Sequence, residues 1–192
     1  MYRPNVSRIR QSGMTMLEVL ITIVIVAFGL LGVAGLQARM HVAETEAYQR
    51  AQATMLLRYM TDRINANRKN GMSYVTASAL GGALQDCSGL SGGALDLCEW
   101  NNLLAGASET KGGQSVGGMI AARGCVFNTV ASMPRQFTVA VVWQGLSPTV
   151  ASSATTCGSG TYADDKTRRA MVAPITIGCL QNDPNTGLCV TP

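Results

Sequence analysis

Glu18 is the residue that most constrains this chain. It is the sole charged side chain in an apolar run of 23 residues, Met14 to Leu36, and a span of about 20 such residues crosses a bilayer. A carboxylate in that position costs about 3 kcal/mol on insertion scales, so it calls for a use and a partner. Directly before the run lies the leader MYRPNVSRIRQSG, with Arg3, Arg8 and Arg10 and no acid. The junction reads Gly13-Met14-Thr15-Met16-Leu17-Glu18.

The positive-inside rule keeps the basic leader in the cytoplasm and sends the chain beyond Leu36 outward. An ordinary secretory signal has an apolar core of about 7–15 residues with a small-residue cleavage site after it. Here the small residue, Gly13, precedes the run. Cleavage after Gly13 would keep the apolar segment and expose the α-amino group of Met14, four residues from Glu18. A plain membrane anchor with a buried Glu is the competing reading, but it leaves the coincidence of leader, Gly13 and Glu18 unexplained.

These residues resemble the class III signal of type IV prepilins. The resemblance implies that a membrane-bound prepilin peptidase cuts after Gly13 and that the new amino terminus, Met14, is methylated. It implies that Glu18 helps subunits dock into a filament. The stretch Phe28-Gly29-Leu30-Leu31-Gly32-Val33-Ala34-Gly35-Leu36-Gln37 is similar to minor pilins of the PilV type, the type IV pilus modification proteins. Major pilins usually have Phe where this chain has Met14, and Pro where it has Gly35; both departures favour a minor pilin. The strong match covers about the first third of the chain. It implies priming of pilus assembly with other minor pilins and the major pilin, an inner-membrane assembly platform, a place beneath a tip adhesin, and effects on motility and adhesion. The location implied is a single-pass inner-membrane protein, amino terminus in, that later enters an extracellular fibre.

Charged residues are 14% of the chain and glycines number 21, which suits a small, loop-rich extracellular head. The net charge of +4 owes three units to the leader; its removal leaves +1, so nucleic acid is not an expected partner. All six cysteines, Cys87, Cys98, Cys125, Cys157, Cys179 and Cys189, lie in the part expected outside, where an even number argues for disulfides. Zinc is disfavoured, since there is no C-x-x-C pair and His41 is the sole histidine.

Good helix formers fill Gln37 to Arg68, so one helix is expected from about Met14 to Asn67. Its first part (14–36) is the membrane or filament segment and its second (37–67) is amphipathic. Leu36, Met40, Ala43, Ala47, Ala51, Met55 and Tyr59 form the stripe expected to face the head. Asn70-Gly71 is expected to stop the helix. The head (68–192) is expected to hold a short helix at Ala94–Leu104, a loop at Gly106–Gly118, and strands at Cys125–Val130, Gln136–Trp143 and Met171–Ile177. Pro174 points to an edge position for the last. The fold class is α+β: a long amino-terminal helix on a small antiparallel sheet, as in type IV pilins.

Six cysteines admit many pairings. If the strands at Cys125 and Met171 flank the central strand, Cys125 lies near the end passed by the loop carrying Cys157. Cys179 then emerges at the opposite end, within reach of Cys189, and Cys87 and Cys98 remain. The resulting expectation is Cys87–Cys98, Cys125–Cys157 and Cys179–Cys189.

No residue set makes a convincing active site, and no cofactor or metal is expected. His41 lies near Glu44 on a helix surface, without a Ser or Cys partner. Asp164-Asp165, or Asp183 with Asn185, offers too few oxygens for calcium, which takes about six to eight ligands; Asp183-Pro184-Asn185-Thr186-Gly187 reads as a turn. Lys111 lacks the GK[ST] ending of a phosphate loop. Trp100 and Trp143 read as core. The rival functions are a pseudopilin of a type II secretion system, a DNA-uptake pilin, which would want a basic patch, and an anchored enzyme.

Overall fold

The computed structural model describes residues 13–107, 110–111, 114–115, 119–184 and 189–191. The leader up to Ser12 and Asn185–Gly187 of the expected turn lie outside the described residues, as does the side chain of Lys111. The chain forms two compact units, one up to Ala43 and one from Glu44 onward.

Helix α1 spans Met16–Ala66, without a proline to break it. In the first unit every side chain from Met14 to Leu36 is exposed. A Cβ on Gly29, Gly32 or Gly35 would meet nothing within 4 Å. In the second unit α1 buries Gln49, Ala53, Leu57, Met60 and Ile64, a stripe at spacings of three and four.

That stripe corrects the expected one. Ala47 and Ala51 are exposed and Met55 is 59% exposed; of these expected positions Tyr59 does pack against the head, which covers the adjoining side of the helix. Apolar residues occupy both sides of α1, so periodicity alone does not say which side the head takes. The larger side chains of Leu57, Met60 and Ile64 decide it, packing with Trp100, Phe137 and Ile177.

A second correction follows. The α-helix ends at Ala66, close to the expected Asn67, but Asn70-Gly71 does not end helical structure: 3₁₀ turns run over Arg68–Tyr74, kinked at Asn70. Gly71 is buried, and a Cβ there would come to 3.1 Å from Phe137 Cζ and from Ile177 Cδ1. Its smallness serves close packing. Helix α2, Gly92–Leu104, then crosses the core: Trp100 is fully buried and its Nε1 donates to the Leu56 carbonyl at 3.0 Å.

Within the segment expected to be a loop, β1 (Thr110–Lys111) pairs with β2 (Gln114–Ser115). The main sheet has three antiparallel strands, β3 (Arg123–Val130), β4 (Arg135–Gln144) and β5 (Arg168–Ile177), in that order. A last pair, β6 (Gln181–Asn182) and β7 (Cys189–Thr191), was not anticipated.

Strand β4 is buried on both faces, which explains its unbroken apolar reading. Phe137, Val139, Val141 and Trp143 join the core with α1 and α2. Ala140 and Val142 pack with Cys125, Cys157 and Tyr162 in a second cluster. The outer edge of β3 is occupied: Leu80 and Gly124 exchange backbone bonds at 2.9 and 3.1 Å, and Thr76 N–H donates to the Val126 carbonyl at 3.0 Å. Even-numbered residues of β3 therefore point away from β4. Alternation along the ladder turns even-numbered residues of β5 off its outer edge. Pro174, opposite Thr138, thus lacks only a donor that would point outward, and no ladder bond is lost.

Candidate functional site

The segment singled out in the sequence begins in non-helical backbone, Gly13 to Thr15, before α1 starts at Met16. Gly13 is exposed, and a side chain on it would meet nothing within 4 Å. Among the described residues no packing demand requires glycine there. Thr15 caps the helix: its hydroxyl and carbonyl both accept from Glu18 N–H, at 3.3 and 3.0 Å. Thr15 is a capping residue that sequence reasoning missed. Its signal was visible, since Thr-x-x-Glu before an apolar run is the pattern of a capping box. Glu18 sits in the first turn, where a negative charge complements the helix dipole. Beyond it, α1 is long and apolar enough to cross a membrane, and none of that window is buried by the rest of the chain.

The cysteines all belong to the second unit. The structure joins Cys87 to Cys98, Cys125 to Cys157, and Cys179 to Cys189. The first ties the chain before α2 to that helix, the second fastens the long loop after β4 to β3, and the third closes the loop holding β6 and β7. Closing loops of this length contributes about 3 kcal/mol each in the chain-entropy account.

The candidate calcium residues have other occupations. Asp164 Oδ1 accepts from Lys166 N–H at 2.9 Å. Asp165 binds Arg168 with both oxygens, at 2.7 and 2.9 Å. Arg168, 4% exposed, also donates to the carbonyls of Ser152, Thr155 and Cys157. A guanidinium thus holds the place that a bound cation would take in this loop. Its hydrogen bonds hold the Asp165 carboxyl below the usual carboxylate range. Asp183 is half-buried, while its suggested companion Asn185 lies outside the described residues. Among the described residues no three His, Cys, Asp or Glu side chains are placed to hold a metal.

His41 is exposed on α1. Trp100 and Trp143 are both buried in the main core. A polar cluster fastens α2 to α1. Tyr59 donates to Glu99 at 2.7 Å, and Arg63 pairs with Asp96 at 3.0 Å and Glu99 at 3.3 Å. The Tyr74 hydroxyl donates to Asp96. Burial and the Glu99 hydrogen bond push the Tyr59 hydroxyl up. Tyr162, whose hydroxyl donates to the Ala121 carbonyl at 3.0 Å, is pushed by burial up to about 12. These groups brace the fold.

Residues 8–34 match the family model of the prokaryotic N-terminal methylation motif. No curated protein and no solved structure matches the chain. The matched span contains Gly13, Met14, Thr15 and Glu18 and most of the exposed apolar part of α1. The amino-terminal segment is therefore a prepilin leader of the type IV pilin-like kind, followed by a helix that fits a membrane anchor.

Proposed function

We propose that the chain is a minor pilin of a type IV pilus, a structural subunit and not an enzyme. The observation that carries this reading is the exposed apolar stretch Met14–Leu36 with Glu18 in its first turn, inside the matched methylation motif. Nothing in the first unit covers that surface, so lipid and then neighbouring helices are its natural solvents. The exposed side of α1 in the second unit, with Ala47, Ala51 and Met55, offers further surface for a neighbour.

In this reading the peptidase cuts after Gly13. Since Gly13 meets no packing constraint, the enzyme, not the fold, sets the need for glycine. The freed amine of Met14 is methylated, and Glu18 of an incoming subunit pairs with the amine of its neighbour. The basic leader stays inside and the disulfide-bearing head outside. The similarity of Phe28–Gln37 to PilV-type minor pilins supports a priming role with other minor pilins and the major pilin, on an inner-membrane assembly platform. The place of such a subunit is the tip, beneath an adhesin, with motility and adhesion depending on it.

Amino-terminal mass spectrometry of protein from its native envelope tests the reading. A mature chain beginning at methylated Met14 is expected. An intact leader, or a cut after Leu36, would refute it.

A further inference from the structure

A cleft of about 290 Å³ opens beside α1, where Arg50 faces Trp143, Arg169, Ala170 and Met171. Arg169 is fixed in place. Its guanidinium donates to Thr149 Oγ1 at 2.7 Å, to the Ser147 carbonyl at 2.8 Å, to the Lys166 carbonyl at 3.4 Å and to Glu46 Oε1 at 3.2 Å. Gly145 leaves room for it, since a Cβ there would come to 2.8 Å from Arg169 Cζ.

The polar side chains lining this cleft are all donors. Glu46, the carboxylate beside it, is engaged by Arg169. Arg50 makes no ion pair among the described residues. Trp143 is 3% exposed, and its indole N–H has no hydrogen-bond partner among the described residues. The Trp100 indole, by contrast, is satisfied by Leu56. The Trp143 indole nitrogen is not one of the buried atoms left without a partner, so its N–H stays open to water or to a ligand. Ala170 and Met171 add an apolar wall. Donors on one side and an apolar wall on the other suit a carboxylate on a short aliphatic stem.

We propose that this cleft receives the carboxylate of an Asp or Glu side chain from a neighbouring subunit docked along α1. Arg50 borders the exposed side of the helix that carries Ala47, Ala51 and Met55, so a subunit lying on that side brings its side chains to the cleft. The occupant rests on the assembly reading above; the carboxylate chemistry of the cleft does not.

Two experiments separate these. In the first, the full chain in detergent micelles is labelled with ¹⁵N-tryptophan and titrated with N-acetylglutamate amide, N-acetylglutamine amide or sulfate. The glutamate compound is expected to shift the Trp143 indole signal saturably and leave that of Trp100 in place. The glutamine compound should not shift it, and Arg50→Gln should weaken the effect at least fivefold. No shift, an equal shift with the neutral compound, tighter binding of sulfate, or an unchanged response in Arg50→Gln overturns the carboxylate assignment. In the second, Arg50→Lys is expressed in native cells and treated with a carbodiimide, which joins amines to adjacent carboxyls. An amide between the introduced amine and an Asp or Glu of another pilus subunit, mapped by mass spectrometry, is expected. Its absence from a variant that still enters filaments overturns the occupant. A processed chain that never enters filaments overturns the assembly reading and the occupant together, while the titration still decides the cleft.

Discussion

The Thr15 hydroxyl accepts a hydrogen bond from Glu18 N–H at 3.3 Å, so the carboxylate proposed to dock subunits is also carried by the third residue of a capped helix. The cap and the proposed docking charge separate by mutation. Thr15→Val removes the cap, worth about 1 kcal/mol, and should fray the first turn while leaving pilus incorporation measurable. Glu18→Gln keeps the cap but removes the charge. It should insert into membranes normally and lose incorporation in a strain without the wild-type copy. Immunoblots of sheared pili and of membranes read the two outcomes. Normal piliation by Glu18→Gln would end the docking role.

Gly13→Val tests whether glycine is demanded by the enzyme or by the fold. A Cβ there meets nothing within 4 Å, so the thermal midpoint of the purified full chain should be unchanged. The leader should nevertheless remain attached, detected as added mass at the amino terminus.

Arg168→Ala should destabilise the head by about 2–4 kcal/mol, because three carbonyls and the Asp165 carboxylate lose their buried donor. Denaturant titration measures the loss, and limited proteolysis should show new cuts between Ser147 and Lys166. The pH dependence has a definite sign. Asp165 has a lower pKa folded than unfolded, so its contribution is present above the ordinary carboxylate pKa. It is lost as pH falls through the depressed folded value. Asp165→Asn should flatten that acid limb of the stability curve, whereas an unchanged limb would assign it to other carboxylates.

Gly124 lies under Trp100. A Cβ on it would come to 2.7 Å from Trp100 Cζ3 and 2.6 Å from Leu104 Cδ1. Gly124→Ala should cost about 1–3 kcal/mol through overpacking and alter Trp100 fluorescence. Gly82→Ala, where a Cβ meets nothing, is the control and should change neither.

Pro174 interrupts the outward-facing donors of β5 without weakening the sheet. Pro174→Val should therefore keep the stability of the monomer and expose a continuous strand edge, which pairs readily with other chains. Sedimentation velocity of the variant should show concentration-dependent self-association absent from the parent chain.

Much of the architecture was legible because local signals and burial agreed. The apolar run without proline and the helix formers after it mark α1 to within about two residues of its ends. The unbroken Thr138–Trp143 run marks a strand buried on both faces, and Pro174 marks the edge. What escaped needed three-dimensional knowledge. Ala47–Ala51–Met55 and Ala53–Leu57–Met60 are equally periodic, and only the packing of Trp100 and Phe137 shows which one the head covers. Gly71 read as a stop signal because glycine ends helices often, yet its neighbours are Phe137 and Ile177, distant in sequence. Arg168 carried no local signal at all: three of its acceptors are carbonyls, which composition cannot display. In the amino-terminal segment Gly13, Met14 and Glu18 stood out as a pattern, while Thr15 was hidden by its ordinary chemistry.

The long loop over the outer face of β4 is tied at adjoining points by a disulfide and by a hydrogen bond from a buried guanidinium. Cys157 bonds to Cys125 through sulfur, and its carbonyl accepts from Arg168. In a reducing compartment the sulfur link opens, and hydrogen bonds from Arg168, Arg169 and Tyr162 retain the loop over Ala140 and Val142. A chain waiting on the thiol side of a membrane would carry a loosened outer layer, and oxidation on the far side would lock it. Passage across the membrane would then leave a chemical record in the head, readable as resistance of this loop to protease before and after a reductant is added.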